Sequence, residues 1–175
     1  MSPKDIEPWL FQVEPFAGES LSHFLGRFRR ANHLTPNGLG QRAGIGAVVA
    51  RWEKFYLNPF PTPEEWQALA SVVGVEVDRL LEMLPPRGVT LKPKPIMLCG
   101  ACYGDAPYHR VQWQFKENLG CVSEAPAKQA RHPLRLLSKC TNCGTPFPIP
   151  ALWQQGECLR CFLPFATMAK RQKSL

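Results

Sequence analysis

Two cysteine pairs, Cys140-Thr-Asn-Cys143 and Cys158-Leu-Arg-Cys161, are separated by fourteen residues in the second half of the chain. Two residues between cysteines allow a tight turn to direct both sulfurs at one metal ion. The separation of the two pairs is close to that of a two-knuckle zinc ribbon. Because four thiolates leave no free coordination position, the pattern predicts a structural zinc ion here.

A third pair, Cys99-Gly-Ala-Cys102, needs ligands from elsewhere in the chain. The candidates in this half are Cys121, His109 and His132. His109 lies in the segment 108–113, which alternates like a strand, and an ordinary surface histidine is the favoured interpretation. Cys121 and His132 lie between the two sites in sequence. We therefore predict a second structural zinc ion held by Cys99, Cys102, Cys121 and His132.

The cysteine pattern does not indicate catalysis. Three Cys-x-x-Cys pairs in series, without a βαβ pattern around them, are not typical of oxidoreductases. Catalytic zinc needs an open coordination position and a general base nearby. The sequence shows no His-Glu pair for that role, no glycine-rich phosphate loop and no Ser-His-Asp arrangement. We therefore expect that the protein is not an enzyme.

The first half of the chain has a helical pattern and contains no cysteine. Apolar residues recur at i, i+3, i+4 and i+7 after Ser20, which predicts a first helix. Thr35-Pro36 predicts the start of a second helix, and a third is expected over about residues 47–57. The members of the first apolar stripe are Leu21, Phe24, Leu25 and Phe28.

A helix-turn-helix pattern follows. Thr62 and Glu65 form a capping box, which predicts a fourth helix that ends at Gly74, and a fifth is expected before Pro85. The fifth segment, residues 76–84, has three acidic residues and one arginine, a net charge of −2. A recognition helix lies between two phosphate backbones, so an acidic one is repelled. We interpret this motif as a structural or protein-binding element.

The change in composition predicts three parts. They are a helical helix-turn-helix domain with an N-terminal arm at 1–84, a linker or edge strand at 85–97, and a small-β tandem zinc-finger domain with a basic tail at 98–175. The fold class expected is mainly α, followed by a zinc-ribbon-like half. We expect a cytoplasmic protein, because the sequence has no membrane-spanning stretch and no signal-peptide apolar region.

The positive charge is concentrated near the C-terminus. The chain has 21 basic and 14 acidic residues, a net charge of +7, and residues 126–175 hold eight of the basic residues but one acid. Such a surface is typical of nucleic-acid contacts. The nucleic-acid candidates are Lys128, Arg131, Arg135, Lys139 and Arg160. The protein-partner candidates, from the apolar arm and the acidic helix, are Trp9, Phe11, Glu76, Asp78 and Glu82.

Two motifs in order resemble those of the TniQ family. The segment 15–22, Pro-Phe-Ala-Gly-Glu-Ser-Leu-Ser, followed by Leu25-Gly-Arg27, resembles the N-terminal signature of TniQ proteins. The ordered set of Cys99-x-x-Cys102, the segment 107–113, Cys121, His132 and Cys140-x-x-Cys143 resembles their zinc-finger core. Cys121 precedes His132 by eleven residues, whereas the family pattern has three. The short length resembles the compact TniQ of type V-K CRISPR-associated transposons.

The resemblance implies a target-selection adaptor in RNA-guided DNA transposition. Such a protein links the RNA-guided Cas effector, with its guide and tracr RNA at the R-loop on target DNA, to the AAA+ transposition regulator. Two alternatives stay open. A zinc-ribbon helix-turn-helix transcription regulator would bind DNA directly, and a structural zinc scaffold would have no affinity for nucleic acid.

Overall fold

The computed structural model of the protein describes residues 10–118, 120–122, 131–147 and 156–172. This part is mainly helical, with two short antiparallel ladders in the second half, in which β1 pairs with β4 and β2 with β3. The helices are α1 Leu21–Ala31, α2 Pro36–Arg42, α3 Val48–Trp52, α4 Pro63–Val73, α5 Val77–Leu81, α6 Gly100–Asp105 and α7 Phe165–Arg171, and a 3-10 helix spans Val111–Gln114. The strands are β1 Met97–Leu98, β2 Cys121–Val122, β3 Arg131–His132 and β4 Arg135–Leu136.

The predicted helix starts are confirmed. The Ser20 hydroxyl accepts a hydrogen bond from the His23 backbone N–H at 3.3 Å and caps α1. Thr35 caps α2, and α4 begins with the predicted capping box. Gly74 ends α4 with a positive φ of 69°, a conformation that glycine adopts without a Cβ clash. Local sequence signals therefore set these boundaries.

Two helices are shorter than predicted. α3 ends at Trp52, and Phe55 has a positive φ of 62°, so the chain leaves the helix before residue 57. α5 has five residues, and turns carry the chain on to Leu84. The predicted helix-turn-helix stays a prediction, because a five-residue second helix does not by itself define that motif. Among the described residues, no helix is both long enough and apolar enough to cross a bilayer.

Two hydrophobic clusters fill the molecule. The first is formed by the apolar faces of α1 to α5. The second lies around the cysteines and also takes in Phe55 from the first half. The largest fully buried side chains of the first cluster are Phe24, Phe28, Leu25, Leu39, Leu69 and Leu80, and those of the second are Trp113, Phe165, Leu98, Leu137 and Met168.

Backbone pairing joins the two halves just before α1. Ser20 donates its backbone N–H to the carbonyl of His109 at 2.9 Å, and Val111 donates to the carbonyl of Gly18 at 3.0 Å. Glu19 and Arg110 form an antiparallel bridge between these two bonds. The start of α1 is therefore paired with the segment that carries His109.

His109 is fully buried at this junction, so its interpretation as a surface histidine is wrong. Its Nε2 faces the carbonyl of Met97 at 3.1 Å and therefore carries the hydrogen, which leaves Nδ1 to accept from the Ser20 hydroxyl at 2.9 Å. The rings of Phe55 and Trp113 lie against it, with centroids at 5.7 and 5.3 Å. The predicted strand is also wrong, because a 3-10 helix begins at Val111.

The segment predicted as a linker or edge strand is partly paired. Leu91 forms an antiparallel bridge with Phe115, and Lys92 donates its backbone N–H to the carbonyl of Gln114 at 2.7 Å. The buried side chain of Gln114 also donates to the carbonyls of Lys92 at 2.6 Å and Pro95 at 3.2 Å. These contacts agree better with an edge strand than with a free linker.

Arg29 of α1 is buried against Glu53. The guanidinium Nε and Nη2 donate to the two carboxylate oxygens, the second at 3.0 Å, and the exposed fractions of the two residues are 9% and 2%. Burial raises the pKa of Glu53, and the nearby Arg29 opposes that rise. The pair ties α1 to the end of α3.

Replacing Arg29 by Met should lower the free energy of unfolding by about 3–5 kcal/mol, because the Glu53 carboxylate would stay buried without its partner. The control is Glu82→Gln, which removes the exposed ion pair with Arg79 and should cost about 0.2–1 kcal/mol. Urea denaturation of both variants checks this. Equal losses would show that the Arg29–Glu53 pair is not buried as described.

We expect acid to destabilise the protein through His109. Burial, with a smaller effect of His23, lowers the pKa of His109 from 6.5 to about 3. The unfolded chain therefore binds a proton that the folded chain excludes as the pH falls from 6.5 to 3, and stability falls by up to about 1.4 kcal/mol per pH unit.

The measurement is the free energy of unfolding of wild type and His109→Gln from pH 7 to 5. The variant should show a shallower loss of stability as the pH decreases. His33→Gln is the matched control, because His33 is exposed. If wild type and His109→Gln lose stability in parallel, the buried histidine does not cause the acid sensitivity.

Candidate metal centres

The sulfurs of Cys140, Cys143, Cys158 and Cys161 converge and can hold a metal ion, with all four within 4.8 Å of one another. We call this group the four-cysteine site. The Sγ atoms of Cys140 and Cys161 are 3.5 Å apart, and those of Cys143 and Cys158 are 3.6 Å apart. A disulfide bond is about 2.05 Å long. These cysteines therefore do not form disulfide bonds in the structure.

The two halves of this site are copies of one backbone turn. In the first knuckle, Cys140 donates its N–H to Thr145 O at 2.9 Å and accepts from Gly144 N at 3.0 Å. In the second knuckle, Cys158 bonds in the same way to the residues five and four positions later, at 3.0 and 2.8 Å. The backbone N–H two residues after each of these cysteines donates to its sulfur at 3.4 Å.

Three of these thiols have shifted acidity. A hydrogen bond from the Thr145 hydroxyl is the main cause that lowers the pKa of Cys143 to about 6. A hydrogen bond with the side chain of Asn142 is the main cause that lowers the pKa of Cys161. Burial instead raises the pKa of Cys140 to about 11. Because metals bind the thiolate, the lowered pKa values of Cys143 and Cys161 favour metal binding.

Cys99, Cys102 and Cys121 form a second group of sulfurs that can hold a metal ion. We call it the three-cysteine site. Cys99 is the N-cap residue of α6, Cys102 lies in its first turn, and Cys121 comes from β2. The sulfurs of Cys102 and Cys121 are 3.5 Å apart, and the Trp113 indole N–H donates to Cys121 at 3.3 Å. The hydrogen bond from the Cys121 thiol is the main cause that lowers the pKa of Cys99 to about 5.

His132 lies next to this site but its ring nitrogens are not part of the converged group. In the β2–β3 ladder it is the direct partner of Cys121. Side chains directly opposite in an antiparallel pair have Cβ atoms about 4.5–5.5 Å apart on the same face. The role of His132 as fourth ligand stays a prediction. The ladder places His132 on the same face as Cys121.

The two sites share one hydrophobic cluster. α6, which carries Cys102, packs closely on α7, which follows the second knuckle. A Cβ at Gly100 would lie 3.1 Å from the carbonyl oxygen of Ala166 and 3.3 Å from the Cβ of Ala169, so glycine allows this approach. This helix pair therefore joins the two sites.

The predicted nucleic-acid residues are partly described. Lys139 and Arg160 are exposed next to the four-cysteine site, and Arg135 is half-buried in β4. Arg131 is placed in β3 by its backbone. Lys128 lies outside the described residues. Two further exposed cations, Lys170 and Arg171 in the last turn of α7, are close to Lys139 in space because Gln172 donates its side-chain amide to the Lys139 carbonyl at 3.3 Å.

The predicted protein-partner residues are exposed where they are described. Phe11 has an exposed fraction of 69%, and the three acids Glu76, Asp78 and Glu82 are exposed on or beside α5. Trp9 lies outside the described residues. The arm is only partly free, because Leu10 and Val13 pack on the first hydrophobic cluster.

Two surface features were not predicted from the sequence. One is an apolar groove of about 760 Å³ beside α5, whose lining includes Tyr56, Phe60, Leu81 and Val89. The other is the tip of the second knuckle, where Leu159 and Phe162 are 46% and 63% exposed. An aromatic residue directly after Cys161 was the available signal for the second feature. No local sequence pattern predicts the groove, because separate segments of the chain form it.

Comparison with known proteins does not assign the chain to a family: no protein-family model matches it, and no curated protein matches it significantly.

We expect two metal ions per chain of purified wild-type protein, because two separate sulfur groups converge. Cys158→Ser and Cys102→Ser should each retain one ion, and the double variant none. His132→Gln should lower the affinity of the three-cysteine site and leave the four-cysteine site unchanged, with His33→Gln as the matched control. Elemental analysis gives the stoichiometry, and competition with a chelator gives the affinities. If His132→Gln behaves as wild type, His132 is not a ligand.

Proposed function

We propose that this protein is a non-enzymatic target-selection adaptor in RNA-guided DNA transposition. It links an RNA-guided Cas effector with its guide RNA at the R-loop to an AAA+ regulator filament on target DNA. The proposal rests on the resemblance of the segments 15–27 and 99–143 to TniQ motifs. The observation that supports it best is the separation of charge, with exposed cations around the four-cysteine site and exposed acids at α5.

The ions in both sites are proposed to be zinc. Tetrahedral zinc with bonds of about 2.3 Å to sulfur places the sulfurs about 3.8 Å apart. The sulfur pairs at 3.5 and 3.6 Å fit this geometry with small adjustments. A set of four cysteines is a closed structural zinc site. The same chemistry gives no free position for a substrate, which agrees with an adaptor and not with an enzyme.

The basic region is proposed to contact RNA or the displaced DNA of the R-loop through phosphates. Lys139, Arg160, Lys170 and Arg171 are exposed, and in the described residues after 131 the one acid is Glu157. Phosphate contacts position a protein and carry no sequence information. A basic surface without a reading helix suits a protein whose target is chosen by guide RNA.

The helical half is proposed to bind the AAA+ regulator. The exposed acids Glu76, Asp78 and Glu82 lie on or beside α5, and Leu81 of the same helix is 40% exposed and lines the apolar groove. Exposed apolar side chains next to charged ones are typical of protein interfaces. This face would repel DNA phosphates, so regulator and nucleic acid would bind different sides of the adaptor.

The alternative function is a zinc-ribbon helix-turn-helix transcription regulator that reads duplex DNA. Helices α4 and α5, joined at Gly74, are the observation that favours it. Such a protein would bind bare DNA alone, and each wrong base pair would cost about 1–3 kcal/mol.

The first test is binding of labelled protein to duplex DNA alone and to the same DNA coated with the ATP-bound AAA+ regulator. We expect binding to the coated DNA only. Tight, sequence-dependent binding to bare DNA would overturn the adaptor proposal and favour the transcription regulator. No binding in either case would leave the structural-scaffold alternative and also overturn the proposal.

Charge reversal tests the proposed division of surfaces. Reversing Arg131, Arg135 and Lys139 to Glu should abolish recruitment by the RNA-bound effector and leave binding to regulator-coated DNA unchanged. The matched control reverses three exposed cations of the helical half and the following segment, Arg42, Lys54 and Lys94. A pull-down with the RNA-loaded effector measures recruitment. Recruitment that survives the first triple variant contradicts the RNA-contact role of this region.

A further inference from the structure

Phe162 occupies a backbone position that favours glycine. The two knuckles of the four-cysteine site are equivalent turns, and Phe162 is the counterpart of Gly144. Both residues have positive φ, 71° at Gly144 and 60° at Phe162. This conformation is ordinary for glycine but strained for a bulky residue. A strained aromatic residue at an otherwise equivalent position suggests that its side chain has a use.

The side chain of Phe162 does not stabilise the core. It is 63% exposed, and Leu159 on the same turn is 46% exposed. Between them Arg160 is also exposed. We call these three residues the knuckle tip. Its backbone is well fixed, because Phe162 N–H donates to Cys158 O at 2.8 Å and Arg160 N–H donates to the Cys158 sulfur at 3.4 Å.

Exposed cations flank the four-cysteine site, to which the knuckle tip belongs. The sulfur of Cys161, the residue before Phe162, is 3.5 Å from the sulfur of Cys140. The residue before Cys140 is the exposed Lys139. The carbonyl of Lys139 accepts a hydrogen bond from Gln172, directly after Lys170 and Arg171 in α7. A rigid, exposed ring among cations is a platform for a nucleobase, since bases stack on aromatic faces while cations contact phosphates.

We propose that the knuckle tip stacks on one unpaired base of a folded RNA, with Phe162 as the platform and Arg160 as its phosphate contact. This inference rests on the proposed function and specifies how the basic region holds the guide RNA. Leu159 covers the edge of the stacked base and excludes water from it.

Among the described residues after 98, Phe162 is the one exposed large aromatic side chain, and this favours a single flipped base in RNA. In the described residues after 98, the exposed large apolar side chains are Leu159 and Phe162. Grooves that follow single-stranded DNA stack successive bases on several aromatic residues. One ring next to cations suits instead a bulge or loop, where a folded RNA splays out one base and its stem presents phosphates.

Binding of two fluorescent RNA stems tests the proposal, one with a single bulged adenosine and one fully paired. Wild type should bind the bulged stem more tightly. Phe162→Leu and Phe162→Gly should weaken binding to the bulged stem by about 5- to 150-fold and leave the paired stem unchanged. Phe162→Tyr should bind as wild type, because it keeps the ring. Phe11→Leu is the control for an exposed ring outside the basic region.

Two further readouts separate stacking from folding and from charge. Phe162→Gly should keep both metal ions and melt at the wild-type temperature or above, because glycine relieves the strained φ. Arg160→Gln should weaken both stems equally and reduce the salt dependence by about one counterion. Ultraviolet crosslinking of wild type to the bulged stem should attach a nucleotide to the tryptic peptide of residues 161–170.

Three results would overturn the inference. They are equal affinity of wild type for both stems, unchanged bulge binding by Phe162→Leu, and tighter binding of a single-stranded DNA of the same sequence. If Phe162→Leu loses regulator-coated DNA but keeps RNA binding, the knuckle tip is a protein contact. The adaptor proposal is tested separately, by binding to regulator-coated duplex DNA. A failure of the RNA-stacking inference can therefore be distinguished from a failure of the adaptor proposal.

Discussion

The convergence of the cysteine sulfurs is the constraint on which the second half of the structure depends. Its strands have two residues each, and such short ladders do not form an independent sheet. The knuckle turns and α6 are instead fixed by sulfurs that converge at two centres, and α7 packs on α6. A metal ion at each centre would supply the folding free energy that so small a core lacks.

The halves of the chain are connected through buried polar groups. His109 lies between Ser20 at the start of α1 and Met97 in β1, and its ring contacts Trp113. The indole of Trp113 in turn donates to Cys121. A continuous set of contacts thus runs from the first helix to the three-cysteine site. The orientation of the acidic face relative to the basic region is set at this junction, which suits a protein proposed to bind two partners at once.

The two knuckles differ in the residue that takes the positive φ and in the side chain that this residue exposes. The first has Gly144 at the position of positive φ, and the second has Phe162. The same turn therefore occurs once in a relaxed form and once with an exposed aromatic side chain. The contact between Gln172 and Lys139 brings the cations at the end of α7 close to the cation before the first knuckle. Under the proposed function, this asymmetry would concentrate the RNA contact at one end of the four-cysteine site.

The sequence by itself determined the local features, because each depends on residues close together in the chain. The caps at Ser20, Thr35 and Thr62, the end of α4 at Gly74 and the four-cysteine site were all predicted from spacing. Tertiary structure alone decided the burial of His109 and Arg29, because their partners Met97 and Glu53 are 12 and 24 residues away. The exposure of Phe162 likewise became clear only in the folded knuckle, since the sequence shows an aromatic residue directly after Cys161 but not whether its side chain is buried.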